Sequence, residues 1–327
     1  MKAILKLIRW QNLLIIVLTM SLMRYAVLSS ILGRMTTGVY NSPGSMTSMN
    51  LQMPLFDFIL LILATVFIAA GGYVINDYFD IKTDLINRGE VIVGTRVPRR
   101  QAMMLHNILN VLGVAAGFYI SWRAGYFWVG IIFLLVSGLL YFYSASYKRQ
   151  FLIGNVIVAV LTAMVPLMVV IFESSYLFGY YAIYSNRIQH FNLLFWWVGG
   201  FAVFAFITTL IREIIKDIED FEGDAAYGRN TIPVVIGILT TKIVTVCLIA
   251  VTIVMLGLIW YFFLNDYITL AYLCILVLLP MLFVVYQVIV SKSRKQLHSA
   301  SRLMKLIMLA GILYSVVVKI MIMYNLV

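Results

Sequence analysis

Ten of the thirteen carboxylates in this chain fall in two short segments, and the chemistry they suit is the gripping of a cation. The first segment carries Asp77, Asp80, Asp84 and Glu90; the second carries Glu213, Asp217, Glu219, Asp220, Glu222 and Asp224. Continued as a helix, the first segment puts Asn76, Asp80 and Asp84 on one stripe at steps of four. The second puts Glu213, Asp217, Asp220 and Asp224 at steps of four, three and four, with Glu219 and Glu222 pointing elsewhere. Like charges at such spacing repel, and a bound cation relieves them. Hard oxygen donors suit Mg²⁺, which keeps several waters and takes phosphate oxygens as further ligands. One cluster alone still admits the reading of a solvated helix end. Two clusters in a chain this poor in acids point to one shared site holding a polyanion.

A third element is the Tyr-rich turn Tyr141 to Arg149, whose Lys148 and Arg149 can neutralise phosphate oxygens, although a basic pair at the end of a span is also ordinary topology. Arg9 and Asn12, near the N-terminus, can add to the same polar mouth, and helix–helix hydrogen bonding is the plainer use of Asn12. Tyr73, Phe79, Tyr141 and Tyr143 are expected beside it.

What must position these groups is a membrane bundle. The 327 residues are 63% hydrophobic and 11% charged, a balance no soluble surface tolerates. The mean hydropathy is +1.00. Nine apolar runs are long enough to cross a bilayer: Gln11–Leu32, Leu55–Ile75, Met103–Trp122, Tyr126–Tyr143, Asn155–Phe172, Leu193–Ile211, Ile243–Phe263, Ile268–Val290 and Leu303–Tyr324. They are too long and continuous for barrel strands, so the expected fold is all-α and polytopic, one membrane domain over residues 1–327. With the N-terminus inside and the C-terminus outside, 19 of the 24 basic residues fall in cytoplasmic segments. Arg24, Arg34, Arg123, Arg187 and Lys319 are the remainder. Both acidic segments follow an even-numbered span, so both face the cytoplasm.

The net charge of +11 follows from this topology and from anionic lipid, and no nucleic-acid-binding module accompanies it. Cys247 and Cys274 lie within spans and read as packing residues. His106, His190 and His298 fall at loop or span-end positions and read as surface residues. The segments Gly33 to Pro54 and Glu173 to Phe191 are expected as external connectors without chemistry.

The ordered set Asn76-x-x-x-Asp80-x-x-x-Asp84, the turn ending in Lys148, Asp217-x-x-Asp220-x-x-x-Asp224 and Gly228-Arg229-Asn230 resembles the UbiA superfamily of intramembrane prenyltransferases. With Asn87-Arg88, the first motif is most similar to the archaeal digeranylgeranylglyceryl phosphate synthase branch. That branch follows Asn-Arg with a proline-punctuated loop; here Gly89 to Arg100 keeps basic residues but few prolines. The resemblance implies nine helices around a central cavity and Mg²⁺-dependent transfer of a prenyl group from a prenyl diphosphate to a lipophilic acceptor. It implies Mg²⁺ held by Asp80, Asp84, Asp220 and Asp224, helped by Asp217 and Asn76, with Lys148 completing the catalytic set. Arg9, Asn12, Asn76, Arg88, Tyr143 and Arg149 are the expected substrate contacts. Geranylgeranylglyceryl phosphate or a related lipid is the expected acceptor; an aromatic quinone precursor or a tetrapyrrole would enter a similar cavity. The rival of another class is a cation or lipid transporter, with Arg24 deep in span one as its best feature.

Overall fold

The computed structural model describes residues 2–39, 42–88, 91–181 and 191–324. Among them, nine helices are long and apolar enough to cross a bilayer: Trp10–Leu32, Leu55–Phe79, Arg99–Arg123, Phe127–Ala145, Ile153–Tyr181, Asn192–Glu219, Ile238–Leu264, Tyr267–Val290 and Arg294–Met323. They are called spans one to nine. Several starts are written locally. Pro54 and Pro98 stand in extended geometry just before spans two and three. Asp266 caps span eight by accepting from the Thr269 amide at 2.6 Å, and Ser293 with Gln296 forms a capping box at span nine.

The spans close into a ring. Span nine packs on span one, span one on span two, span two on span four, span four on span five, and span five on span six, which returns to span nine. All six contribute to the wall of a central cavity of about 710 Å³, whereas spans three, seven and eight pack outside it. The helical architecture and the multi-pass membrane placement are those expected.

Where the helices stop differs from the apolar boundaries. Span two runs on to Phe79, span six to Glu219, and span nine begins at Arg294, because these polar turns find partners inside the mouth of the ring. The acidic segments are not continuous helices. Span two ends at Asp80 (φ −90°, ψ 2°) and a short helix, Ile81–Arg88, follows. Span six ends at Asp220 (φ −97°, ψ 8°), followed by Phe221–Ala226. The same bend thus occurs twice, at the same step relative to the acids.

The face away from the aspartates also departs from expectation. The segment after Glu173 is not an external loop at first, since span five continues to Tyr181. Glu173 is buried there against Arg24 (3.2 Å) and accepts from the amides of Gln52 (2.6 Å) and Met53 (3.0 Å). Arg24 also donates to the Met53 carbonyl. Asp57, fully buried, accepts from Arg123 (2.6 and 3.1 Å) and the Tyr176 hydroxyl (2.8 Å). Burying these charges is tolerated because each has a partner. Arg24 is therefore engaged in an ion pair, which removes the main support for a transporter. Between spans one and two, Thr36–Val39 pairs antiparallel with Ser42–Ser48, a small hairpin in an otherwise helical chain. His106 is buried, not superficial, bonded to the Gly71 carbonyl at 2.9 Å and beside Asn110 at 3.0 Å. Arg187 and His190 lie outside the described residues.

Candidate active site

The two bends meet at one end of the cavity. Asn87, from the helix after the first bend, donates to the Asp220 carbonyl (3.3 Å) and accepts from the Gly223 amide (3.1 Å) at the second. Gly223 is required by this contact, since a Cβ there would collide with the Asn87 amide. Arg229 completes the link: its guanidinium donates to Asp80 (2.8 Å), Thr83 (2.7 Å) and Asp224 (3.5 Å). The two aspartate-bearing segments, separated by more than a hundred residues, thus face one another across a shared mouth.

Asp80 is 2% exposed, with one oxygen on Lys148 and the other on Arg229. Burial works to raise its pKa, but the two cations outweigh burial and bring it down to about 2. It stands behind the cavity wall, while Lys148, also bonded to Asn76 at 3.0 Å, lies on it. Asp224 is the converse. Burial, reinforced by the charge of Asp220, holds its pKa up at about 6 despite Arg229.

Of the expected residues, Arg9, Asn12, Asn76, Asp84, Tyr143, Lys148, Asp217, Asp220 and Asp224 line the cavity. Asp217 accepts from Asn155 at 2.8 Å; Arg9 donates to Asp77 at 2.7 Å and lies 5.1 Å over the Tyr73 ring. Arg149 is off the wall; its carbonyl accepts from the Asn230 amide at 2.9 Å. Phe79 and Tyr141 pack edge-to-face on each other, 6.0 Å apart, instead of facing the cavity as Tyr73 does. Glu219 faces the cavity, bonded to His298 at 2.8 Å, where helical spacing had turned it away. Arg88 closes its helix, and its side chain, like all of Glu90, lies outside the description. Asn87, Thr83 and Arg229 were not singled out as site residues. The motifs containing Asn87 and Arg229 were visible, but their role arises from contacts across 133 to 149 positions.

The mouth fits a hard cation. Asp84, Asp217, Asp220 and Asp224 supply oxygen donors, and the raised pKa of Asp224 means that added positive charge would favour its ionised form. Among the described residues, no three acids gather closely enough to hold an ion alone. Water and substrate oxygens have to complete its shell, which is the habit of Mg²⁺. Below the mouth the wall is apolar, with Met23, Ile68, Phe133 and Met168 among its residues.

A polar, carboxylate-ringed mouth above an apolar chamber inside a membrane bundle defines an intramembrane enzyme for a substrate with an anionic head and a hydrocarbon tail. The model of the UbiA prenyltransferase family matches residues 42–309, and the chain belongs to that family; it is a prenyltransferase. It is 32% identical over 248 residues to the digeranylgeranylglyceryl phosphate synthase of Methanosphaera stadtmanae, covering 75% of this chain and 81% of that protein. With the synthase of Pyrococcus horikoshii it shares 33% over 201 residues, 61% of this chain and 64% of that one, so this match spans less than two thirds of the relative. Solved structures share the fold. A UbiA homolog from Aeropyrum pernix superposes with a TM-score of 0.61 at 15% identity, covering 90% of this chain and 97% of that one. One from Archaeoglobus fulgidus bound to GPP and Mg²⁺ gives 0.51 at 17%, covering 96% and 99%.

Proposed function

We propose that this chain transfers a geranylgeranyl-type group from its diphosphate to the hydroxyl of geranylgeranylglyceryl phosphate or a closely related lipid, with Mg²⁺ as cofactor. The observation that carries the reading is the convergence of the two aspartate bends, with Lys148 and Arg229 between them, over an apolar chamber. The named relatives support the acceptor class. The chain acts as one membrane domain, residues 1–327, with the N-terminus and the mouth on the cytoplasmic side and the C-terminus outside.

Asp84, Asp217, Asp220 and Asp224, with Asn76 beside them, would hold Mg²⁺, and Asp80 stands behind the wall; when bound, the ion supplies positive charge to the diphosphate leaving group. Lys148 and Arg229 add fixed positive charge at the same place, where it acts on charge developing as the allylic C–O bond breaks. The bonding pair leaves with the diphosphate. An acceptor hydroxyl oxygen forms the new C–O bond, and its proton passes to the released diphosphate. The apolar wall excludes water from the carbon centre in the interval, and Tyr73 and Tyr143 offer ring faces to positive charge there.

The test is mass spectrometry of products from purified protein given geranylgeranyl diphosphate with each acceptor in turn: glyceryl ether phosphate, aromatic carboxylate and tetrapyrrole. Product with the first, lost on chelation of Mg²⁺, is expected. Product with another acceptor alone would overturn the assignment.

A further inference from the structure

A reaction that joins a prenyl diphosphate to a phosphorylated lipid brings two anions into one chamber, and each needs its own counter-charge. Most cations on the wall are already matched to carboxylates. Arg9 pairs with Asp77, Arg212 and Lys216 with Glu213, and Lys148 and Arg229 with Asp80. Arg302 and Lys305 are different. They lie three residues apart on span nine, both on the cavity wall, and neither forms an ion pair among the described residues. Lys305 is roughly 16 Å along the helix from Arg294 at about 1.5 Å per residue. A charge that far into a span is kept for a task or a partner. Its electrostatic neighbours are mostly of its own sign, Arg212, Lys216 and Arg9, with Glu213 the weakest counterweight.

An open side chamber of about 440 Å³ lies beside it, walled by the N-terminal helix Lys2–Leu7, Arg9 and the start of span one (Trp10, Gln11 and Asn12), with Lys305 contributed by span nine. It meets the main cavity at Arg9, Asn12 and Lys305, which line both. Lys2 and Lys6 also line it, and none of the residues on its wall is acidic. The aspartate mouth suits a polyanion that arrives with a cation; a basic wall without carboxylates suits an anion directly.

Building on the prenyl-transfer reading above, we propose that the side chamber is the phosphate-monoester subsite of the acceptor, with Lys305 as its specificity-determining residue and Arg302 as its flank. The acceptor's head then sits apart from the diphosphate, and its hydroxyl faces the aspartate mouth.

The experiment uses purified full-length protein in phosphatidylcholine nanodiscs, where the acceptor carries the one lipid phosphate monoester present. Geranylgeranylglyceryl phosphate is compared with its dephosphorylated diol. Lys305→Ala raises KM for the phosphorylated acceptor about tenfold or more, the size of a lost charge-assisted contact, and leaves KM for geranylgeranyl diphosphate within about twofold. Lys305→Arg restores most of the loss, the diol is insensitive to the change, and Arg302→Ala shows a smaller shift of the same kind. An unchanged acceptor KM in Lys305→Ala, or an equal rise for both substrates, overturns the subsite while the transfer reading stands. Failure of the wild type to use the phosphorylated acceptor defeats that reading and the subsite together. If Lys305→Ala does not fold, Lys305→Gln and Arg302→Ala carry the same comparison.

Discussion

The bends at Asp80 and Asp220 share a backbone shape and differ in nearly everything else. The carboxylate of Asp80 is sealed in, gripped by Lys148 and Arg229 and ionised down to about pH 2. Asp220 lies on the cavity wall, and its partner Arg294 (3.0 Å) has a side chain 40% exposed. Four residues on, Asp224 is buried and holds its proton up to about 6. The first bend is held by two close cations, Lys148 and Arg229; the second has only a longer contact to Arg229 (3.5 Å) and the half-exposed Arg294. One geometry used twice has thus been divided between anchoring and receiving.

The sharpest way to break this comparison is to neutralise each aspartate. Asp80→Asn and Asp220→Asn are both expected to lower turnover by roughly a hundredfold or more, the scale of a lost transition-state charge partner. They should part company in stability: Asp80→Asn melts lower, because buried Arg229 and half-buried Lys148 lose their shared carboxylate, while Asp220→Asn melts near the wild type. Equal melting shifts would erase the distinction.

Arg229→Ala strikes the bridge itself. Leaving Asp80 with Lys148 alone and Asp224 without its ion pair is expected to cost up to about 3–5 kcal/mol, read by thermal unfolding in detergent, together with most of the activity.

A smaller effect concerns sign. With divalent ions chelated, Asp224 has a folded pKa of about 6, above its ordinary 3.8, so its charge opposes folding at higher pH. The penalty fades as pH falls through about 6 toward 4. Asp224→Asn should therefore melt above the wild type at about pH 8 and converge with it near pH 4. For Asp80 the shift is downward, so its stabilisation is present above about 4 and is lost as pH falls through about 2. A wild-type advantage over Asp224→Asn at high pH would sink the contrast.

The smallest effect is expected at Arg294→Ala. An exposed ion pair is worth about 0–1 kcal/mol, and activity should change by less than about threefold.

Much of this was legible in the sequence. Hydropathy located the nine spans to within a few turns, and alternation of basic loops put both acidic segments on one face. The positions of the carboxylates then named most of the mouth. The bends were not legible, because neither Phe79-Asp80 nor Glu219-Asp220 contains the Pro or Gly that usually announces a break. Nor was the division of labour between the aspartates. It depends on Arg229 and Asn87 reaching across the fold, and no periodicity reports a contact made at such a distance. Arg24 and Glu173 failed for the same reason: each reads as an anomaly alone and is ordinary as a pair.

The cluster beside the chamber has a consequence of its own. Met23, Ile68, Phe133 and Met168 join the cavity wall to the buried core, and on the same side of the bundle the Arg24–Glu173 and Asp57–Arg123 pairs tie the spans together. A packed, ion-paired layer on that side of the bundle is expected to leave catalysis at the same rate in a polarised or a collapsed membrane.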